Sequence, residues 1–422
     1  MSQNWMRLDN AAKIFPAVRR RNWSNVFRTS ATLLEPVDPA ILQKAVEQVR
    51  PRFPSMMVNL HRGAFWFYLQ ELPQSPTVRK DGACPLIHMT VRETETCAIR
   101  VLYYQNRIAV EYFHALTDGT GGMVFLKTLV AAYLRLRYGI FIPCTHGILD
   151  PDEPPKQEEL EDSFLKASGK RAMSRREPNA LRLPGRREPG AFLRLTVGTL
   201  STQALLELAH RYGCSITCLL TAVMLQSILD LAPRRHGWAK VMVPVNLRKL
   251  FDSQTLRNFA LTLNVGVDPR LGEYTLPELC KIVRGQLDCQ VNRQQMAARI
   301  AANVNPERNP LMKAAPLPLK NLVMRLVYRF SGESKGSINI SNLGLTQLPK
   351  EMTPYVSHLD FIIGPQATFY HNCSVVSYED CTRINLIRAT REPNLEQRFF
   401  TRLVELGLEV EVQSNHAGRE RP

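Results

Sequence analysis

Residues 107–113, RIAVEYF, alternate well enough to read as a strand and run without a break into His114-Ala115-Leu116-Thr117-Asp118-Gly119. Residues 120–138 then space Met123, Leu126, Leu129, Val130 and Leu134 at helical intervals. With strands and helices alternating through about the first 150 residues, this strand–turn–helix belongs to an α/β or α+β unit. It also sets His114 at a strand end, where a rigid scaffold can present a side chain to a cleft.

The residue types in this turn suit proton transfer. A neutral imidazole with a pKa near 7 can accept a proton from a hydroxyl, thiol or amine. Asp118 is not the expected base, because an ionised carboxylate here suits capping the following helix or pairing with an arginine. Gly119, without a Cβ, allows an unusual backbone angle and close approach of a ligand. By themselves the six residues fit two readings, a capped turn around a partly buried histidine and a catalytic centre.

Strand and helix patterns alternate along the rest of the chain. The first part, residues 1–150, offers a strand over 26–34 and a helix over 39–49 with Asp38 as N-cap and Pro39 at the first helical position. A hairpin-like run over 64–69 and a strand over 98–104 follow. Residues 151–190 change texture to PDEPPKQEELED and then KASGKRAMSRREPNALRLPGRREPG, a linker or crossing segment. Its Lys170, Arg171, Arg175, Arg176, Arg182, Arg186 and Arg187 form either a phosphate-binding rim or a solvated face.

Residues 191–422 resume with a strand over 192–197, a helix capped by Ser201, and an apolar helix over 216–231 capped by Ser215 or Thr217. A strand over 239–245 leads into Asn246-Leu247-Arg248-Lys249. Further strands are expected at 336–340, 358–363, 374–378 and 383–387, and a last helix over 394–408.

The 422 residues can bury two cores, and a composition of 45% hydrophobic and 22% charged residues excludes disorder throughout. Nine scattered cysteines without metal-ligand spacing suggest reduced, mostly buried thiols in a cytoplasmic protein. No secretory apolar core opens the sequence, and residues 216–231 are too short and too interrupted to span a bilayer. The formal charge of +16 favours an anionic partner or serves solubility. Without zinc-finger spacing, an aromatic ribonucleoprotein motif or a recognition helix, a phosphorylated co-substrate or acidic carrier protein fits better than nucleic acid.

Taken together, several blocks resemble one family. His114, Asp118 and Gly119 match the HxxxDG motif of acyltransferases that resemble chloramphenicol acetyltransferase, a group that includes condensation domains and alcohol acetyltransferases. EPVDPAILQKAVEQV resembles the first strand and helix of these enzymes, VPVNLRKLFDSQTLRNF their arginine-bearing second-half loop, and SINISNLG a strand near the junction of the halves. The resemblance implies an α/β (α+β) fold of two αβ sandwich subdomains in a V with a central tunnel. It implies direct transfer of an acyl group from acyl-CoA or a carrier-bound phosphopantetheine thioester to an alcohol or amine. No metal and no permanently bound cofactor are implied, and a monomer is expected.

By the same resemblance His114 is the general base and Asp118 an organiser paired with Arg248. Gly119 would line the donor channel, and Asn342 is a candidate polar group at the reaction centre or a turn former. Asn246 and Asn258 are read as structural, capping local loops. Phe113 stands where many condensation domains carry another histidine, which favours a relative of alcohol acetyltransferases. Asp360-Phe361-Ile362-Ile363-Gly364 keeps only the outline of the DFGWG segment of the plant enzymes. A non-catalytic module of the same fold, binding a carrier protein or acyl ligand, is the alternative.

Overall fold

The computed structural model of the chain describes residues 5–19, 25–174, 176–232, 236–366 and 369–415. Its strands form three sheets. A five-stranded sheet runs in the order Val356–Ile363, Val26–Leu33, Arg107–Phe113, Ile99–Tyr104, Arg79–Lys80. A seven-stranded sheet runs Ala260–Val267, Ala239–Asn246, Ile338–Leu345, His371–Tyr378, Cys381–Arg388, Arg194–Ser201, Glu411–Ser414. The smallest contains Trp5–Arg7, Phe67–Glu71 and Val58–Arg62.

Helices Pro39–Val49 and Gly119–Tyr138 share a core with the five-stranded sheet, whereas Thr202–Arg211, Ile216–Leu231, Leu276–Gln290 and Asn394–Glu405 share one with the seven-stranded sheet. Local chemistry sets several helix starts. Asp38 accepts from the amides of Ala40 and Ile41 ahead of a helix that opens with Pro39. Ser201 and Ser215 cap the next pair in the same way, Ser215 rather than Thr217 capping the apolar helix.

The halves are interleaved. Strand Val356–Ile363 comes late in the sequence yet pairs antiparallel with Val26–Leu33 in the first sheet. From there it is tied to the second sheet, since Ser374 Oγ donates to the Phe361 carbonyl at 2.6 Å and Arg383 Nε to Asp360 Oδ1 at 3.0 Å. Residues 151–190 also hold to both halves. Glu159 forms a two-pronged pair with buried Arg52, and Met173 N donates to the Ala298 carbonyl at 3.1 Å.

Most expected elements occur within a few residues of the positions read from sequence. The run at 64–69 is a strand at Phe67–Glu71, that at 336–340 extends as Ile338–Leu345, and the last helix ends at Glu405. Unanticipated are strands Trp5–Arg7, Val58–Arg62, Arg79–Lys80, Ala260–Val267 and Glu411–Ser414 and, among the longer helices, Leu276–Gln290, Arg293–Arg308 and Leu317–Ser331. Of the basic linker residues, Arg175 lies outside the described residues and the other six are exposed, Arg186 paired with Glu392. Among the described residues no single helix is long and apolar enough to cross a membrane.

Candidate active site

A cavity of about 1020 Å³ lies between the two large sheets and takes its lining from both halves of the chain, including His114, Gly119, Asn258, Asn342 and Phe361. His114 follows directly on strand Arg107–Phe113, and its amide donates to the Asn25 carbonyl at 2.8 Å. The ring stacks on Phe15, with centroids 4.3 Å apart, and meets the edge of Phe27 at 5.1 Å. These contacts fix the imidazole plane while leaving the residue half-buried at the cavity wall.

Asn258 decides the tautomer. Its Nδ2 donates to the His114 carbonyl at 3.0 Å, so the amide oxygen is the atom 3.1 Å from His114 Nδ1. An acceptor there requires the proton on Nδ1 and leaves the lone pair on Nε2. Burial lowers the imidazole pKa below its ordinary value. Hydrogen bonding to the His114 backbone, the charge of Asp118 and the Asn258 amide oppose that shift without reversing it. The ring is therefore neutral at pH 7.

Behind Asn258 lies Asp9, fully buried, with one carboxylate oxygen 3.5 Å from Asn258 Nδ2 and the other accepting from Ala12 N at 2.6 Å. Burial raises the Asp9 pKa to about 6 against the pull of Arg257.

Asp118 has no free oxygen for proton transfer. Oδ1 accepts from the amides of Thr120 and Gly121, both at 3.1 Å, and so caps helix Gly119–Tyr138. Oδ2 accepts from Phe259 N at 2.8 Å and from Arg248 Nη1 at 2.9 Å. Burial would raise this carboxyl, but Arg248 and the two amides of Phe259 and Gly121 hold it below the usual carboxylate range. Arg248 in turn donates to the carbonyls of Thr255 at 2.8 Å and Arg257 at 2.7 Å. The ion pair thereby clamps the His114 turn to the loop that carries Asn258.

Gly119 is needed for space. A Cβ there would stand 2.9 Å from both Leu343 Cδ2 and Phe361 Cζ. Asn342 lines the cavity with its side chain engaged, Nδ2 donating to Thr217 Oγ1 at 3.0 Å and Oδ1 accepting from Gly344 N at 2.8 Å. Asn246 bridges Thr120 Oγ1 and the Arg248 amide.

The structure thus brings His114, Asp118, Gly119 and Arg248 together, and Asn342 onto the same cavity. The reading of Asn258 as a loop cap is corrected, because its side chain is the hydrogen-bond partner of His114 across 144 residues of sequence. Asp9 carried no sequence signal. Among the described residues there is no group of His, Cys, Asp or Glu suited to a metal ion.

No protein-family model matches the sequence, and no curated protein matches it. Solved structures do. Polyketide synthase associated protein 5 from Mycobacterium tuberculosis is similar over 94% of this chain and 96% of its own, with a TM-score of 0.60 and 15% identity. The trichothecene 15-O-acetyltransferase of Fusarium sporotrichioides is similar over 96% of this chain and 94% of its own, at TM-score 0.58 and 13% identity. This chain has the chloramphenicol-acetyltransferase-like fold. The starter condensation domain of rhizomide synthetase, solved with C8-CoA and Leu-SNAC, shares that fold over 95% of this chain and 94% of its own, at TM-score 0.58 and 14% identity.

Proposed function

We propose that this protein is an acyltransferase that moves an acyl group from a thioester, acyl-CoA or carrier-bound phosphopantetheine, directly to an alcohol or amine. The observation that carries the proposal is the Asn258–His114 contact, which leaves the Nε2 lone pair of a neutral imidazole for the cavity. His114 Nε2 takes the proton of the acceptor as its oxygen or nitrogen attacks the thioester carbon. The carbon–sulfur bond then breaks, and the departing thiolate recovers that proton. General-base action of this kind contributes roughly 10²- to 10⁴-fold, and positioning two substrates in one cavity supplies much of the rest.

In this reading Asp118 and Arg248 hold the turn, Gly119 lines the donor side where Leu343 and Phe361 close on it, and Asn342 is a polar group on the wall. The fold shared with an acetyltransferase and with a condensation domain bound to an acyl-CoA supports the choice of donor. The test is release of free thiol from acyl-CoAs of increasing length with a panel of alcohols and amines, for the wild type and His114→Ala. Turnover lost in the variant supports the proposal. Tight binding of an acylated carrier with no turnover for any donor would instead make the protein a non-catalytic module.

A further inference from the structure

Helix Leu317–Ser331 does not follow the rule for surface helices, which turn an apolar stripe inward and polar side chains to solvent. Leu319, Leu322, Leu326 and Phe330 succeed one another along one side and are 52, 54, 49 and 66% exposed. The opposite side is anchored. Lys320, only 3% exposed, donates to the carbonyls of Phe65 at 3.1 Å and Lys313 at 3.0 Å and lies 3.5 Å from the Trp66 ring centroid. Arg325 Nε donates to the Ala17 carbonyl at 2.6 Å. The outward stripe is therefore not a core face turned the wrong way.

Two further features accompany the stripe. Val323 and Val327, beside it on the helix, line the cavity that holds His114, so apolar surface continues from the outside of the helix into that cavity. Residues 308–332 contain Arg308, Lys313, Lys320, Arg325 and Arg329 and no Asp or Glu. All of these basic residues except Lys320 are exposed. Leu311 and Phe65 add exposed apolar surface next to the helix.

We propose that helix Leu317–Ser331 docks this protein on the surface of an anionic lipid bilayer. The stripe enters the boundary of the acyl chains, and the exposed Arg308, Lys313 and Arg329 sit among the headgroups. A row of leucines with basic flanks and no acid is the pattern of an interfacial helix, whereas protein interfaces concentrate aromatic anchors in pockets. Docked this way, the cavity opens beside the bilayer, and an apolar substrate passes along Val323 and Val327 without crossing water. Only that last step rests on the acyl-transfer reading. The docking does not, and its test measures no turnover.

The test is co-sedimentation of the full chain with phosphatidylcholine vesicles and with vesicles containing about one-third phosphatidylglycerol. Binding to the anionic vesicles, at least about tenfold tighter than to the neutral ones and weakened by salt, is expected. Leu322→Glu with Leu326→Glu lowers it at least about tenfold, and Lys313→Gln with Arg329→Gln removes the preference for anionic lipid. Wild type left in the supernatant with both vesicle types overturns the proposal, as does undiminished binding by the glutamate variant. A dimer in sedimentation velocity that the glutamate variant dissociates, without vesicle binding, assigns the face to a second copy. Saturable binding of an acidic carrier protein in place of vesicles assigns it to a protein partner. Either result overturns the proposal.

Discussion

Asn258 grips His114 at two points, its amide nitrogen on the backbone carbonyl at 3.0 Å and its oxygen 3.1 Å from Nδ1. One side chain therefore sets both the position of the turn and the tautomer of the ring. With Phe15 stacked on the imidazole, little rotational freedom is left to it.

Replacing His114 with alanine removes the only imidazole on the cavity wall among the described residues. Thiol release is expected to fall by roughly 10²- to 10⁴-fold, with an unchanged circular dichroism spectrum. Because burial keeps the wild-type ring below the ordinary histidine pKa, the acid limb of kcat/KM lies below that value and activity is level through pH 7. A limb at or above the ordinary histidine value would rule His114 out as the titrating base.

Asn258→Leu separates positioning from packing. Loss of the acceptor frees Nδ1 and the ring tautomer, and kcat is expected to drop about tenfold to a hundredfold while KM for the thioester changes little. The Asn258 hydrogen bond favours the protonated ring, so its removal lowers the pKa further and moves the acid limb to lower pH. A structural role alone would reduce kcat without moving the limb.

Asp118→Asn leaves the half-buried Arg248 guanidinium without its buried charge partner, and breaking a pair of this kind costs up to about 3–5 kcal/mol. Thermal unfolding shows this as a lower midpoint. The sign with pH follows from the depressed carboxyl. The folded pKa lies below the unfolded one, so the stabilisation is fully present above the ordinary carboxylate range and is lost as pH falls through the folded value. The variant should therefore lose less stability than the wild type between neutral pH and that acid range.

Gly119→Val drives new carbon atoms against Leu343 and Phe361, from which even the first added carbon, the Cβ, would stand only 2.9 Å. Overpacking of this kind costs about 1–3 kcal/mol, and displacing Leu343 and Phe361, which line the cavity, should raise KM for the thioester more than it lowers kcat. Steady-state kinetics with short and long acyl donors would show the discrimination, and equal KM values for wild type and variant would place the donor elsewhere.

Much of the architecture was legible because it is written locally. Asp38-Pro39, Ser201 and Ser215 cap their helices through side-chain bonds only two or three residues away. Thr275 and Glu278 form an equally local capping box, a legible signal for the overlooked helix Leu276–Gln290. Helix Arg293–Arg308 was harder to see. Met296, Ile300 and Val304 are its widely spaced buried residues in an otherwise largely polar run, and they acquire meaning only against Phe164 and Phe259. Helix Leu317–Ser331 carried a legible signal as well, since Leu319, Leu322, Val323, Leu326, Val327 and Phe330 recur at helical intervals.

The sequence by itself determined the strand, turn and helix around His114, because alternation, a capping carboxylate and a run of apolar residues act within one or two turns of chain. Tertiary structure alone decided that Asn258 faces His114 and that Val356–Ile363 joins the first sheet. It also decided that Leu343 and Phe361 close on Gly119. Those contacts join residues far apart in the chain, and nothing in the local propensity of an asparagine or an apolar strand specifies which distant partner will bury it. The partner is selected when the two sheets pack, since only then does an unpaired amide or an uncovered edge become costly.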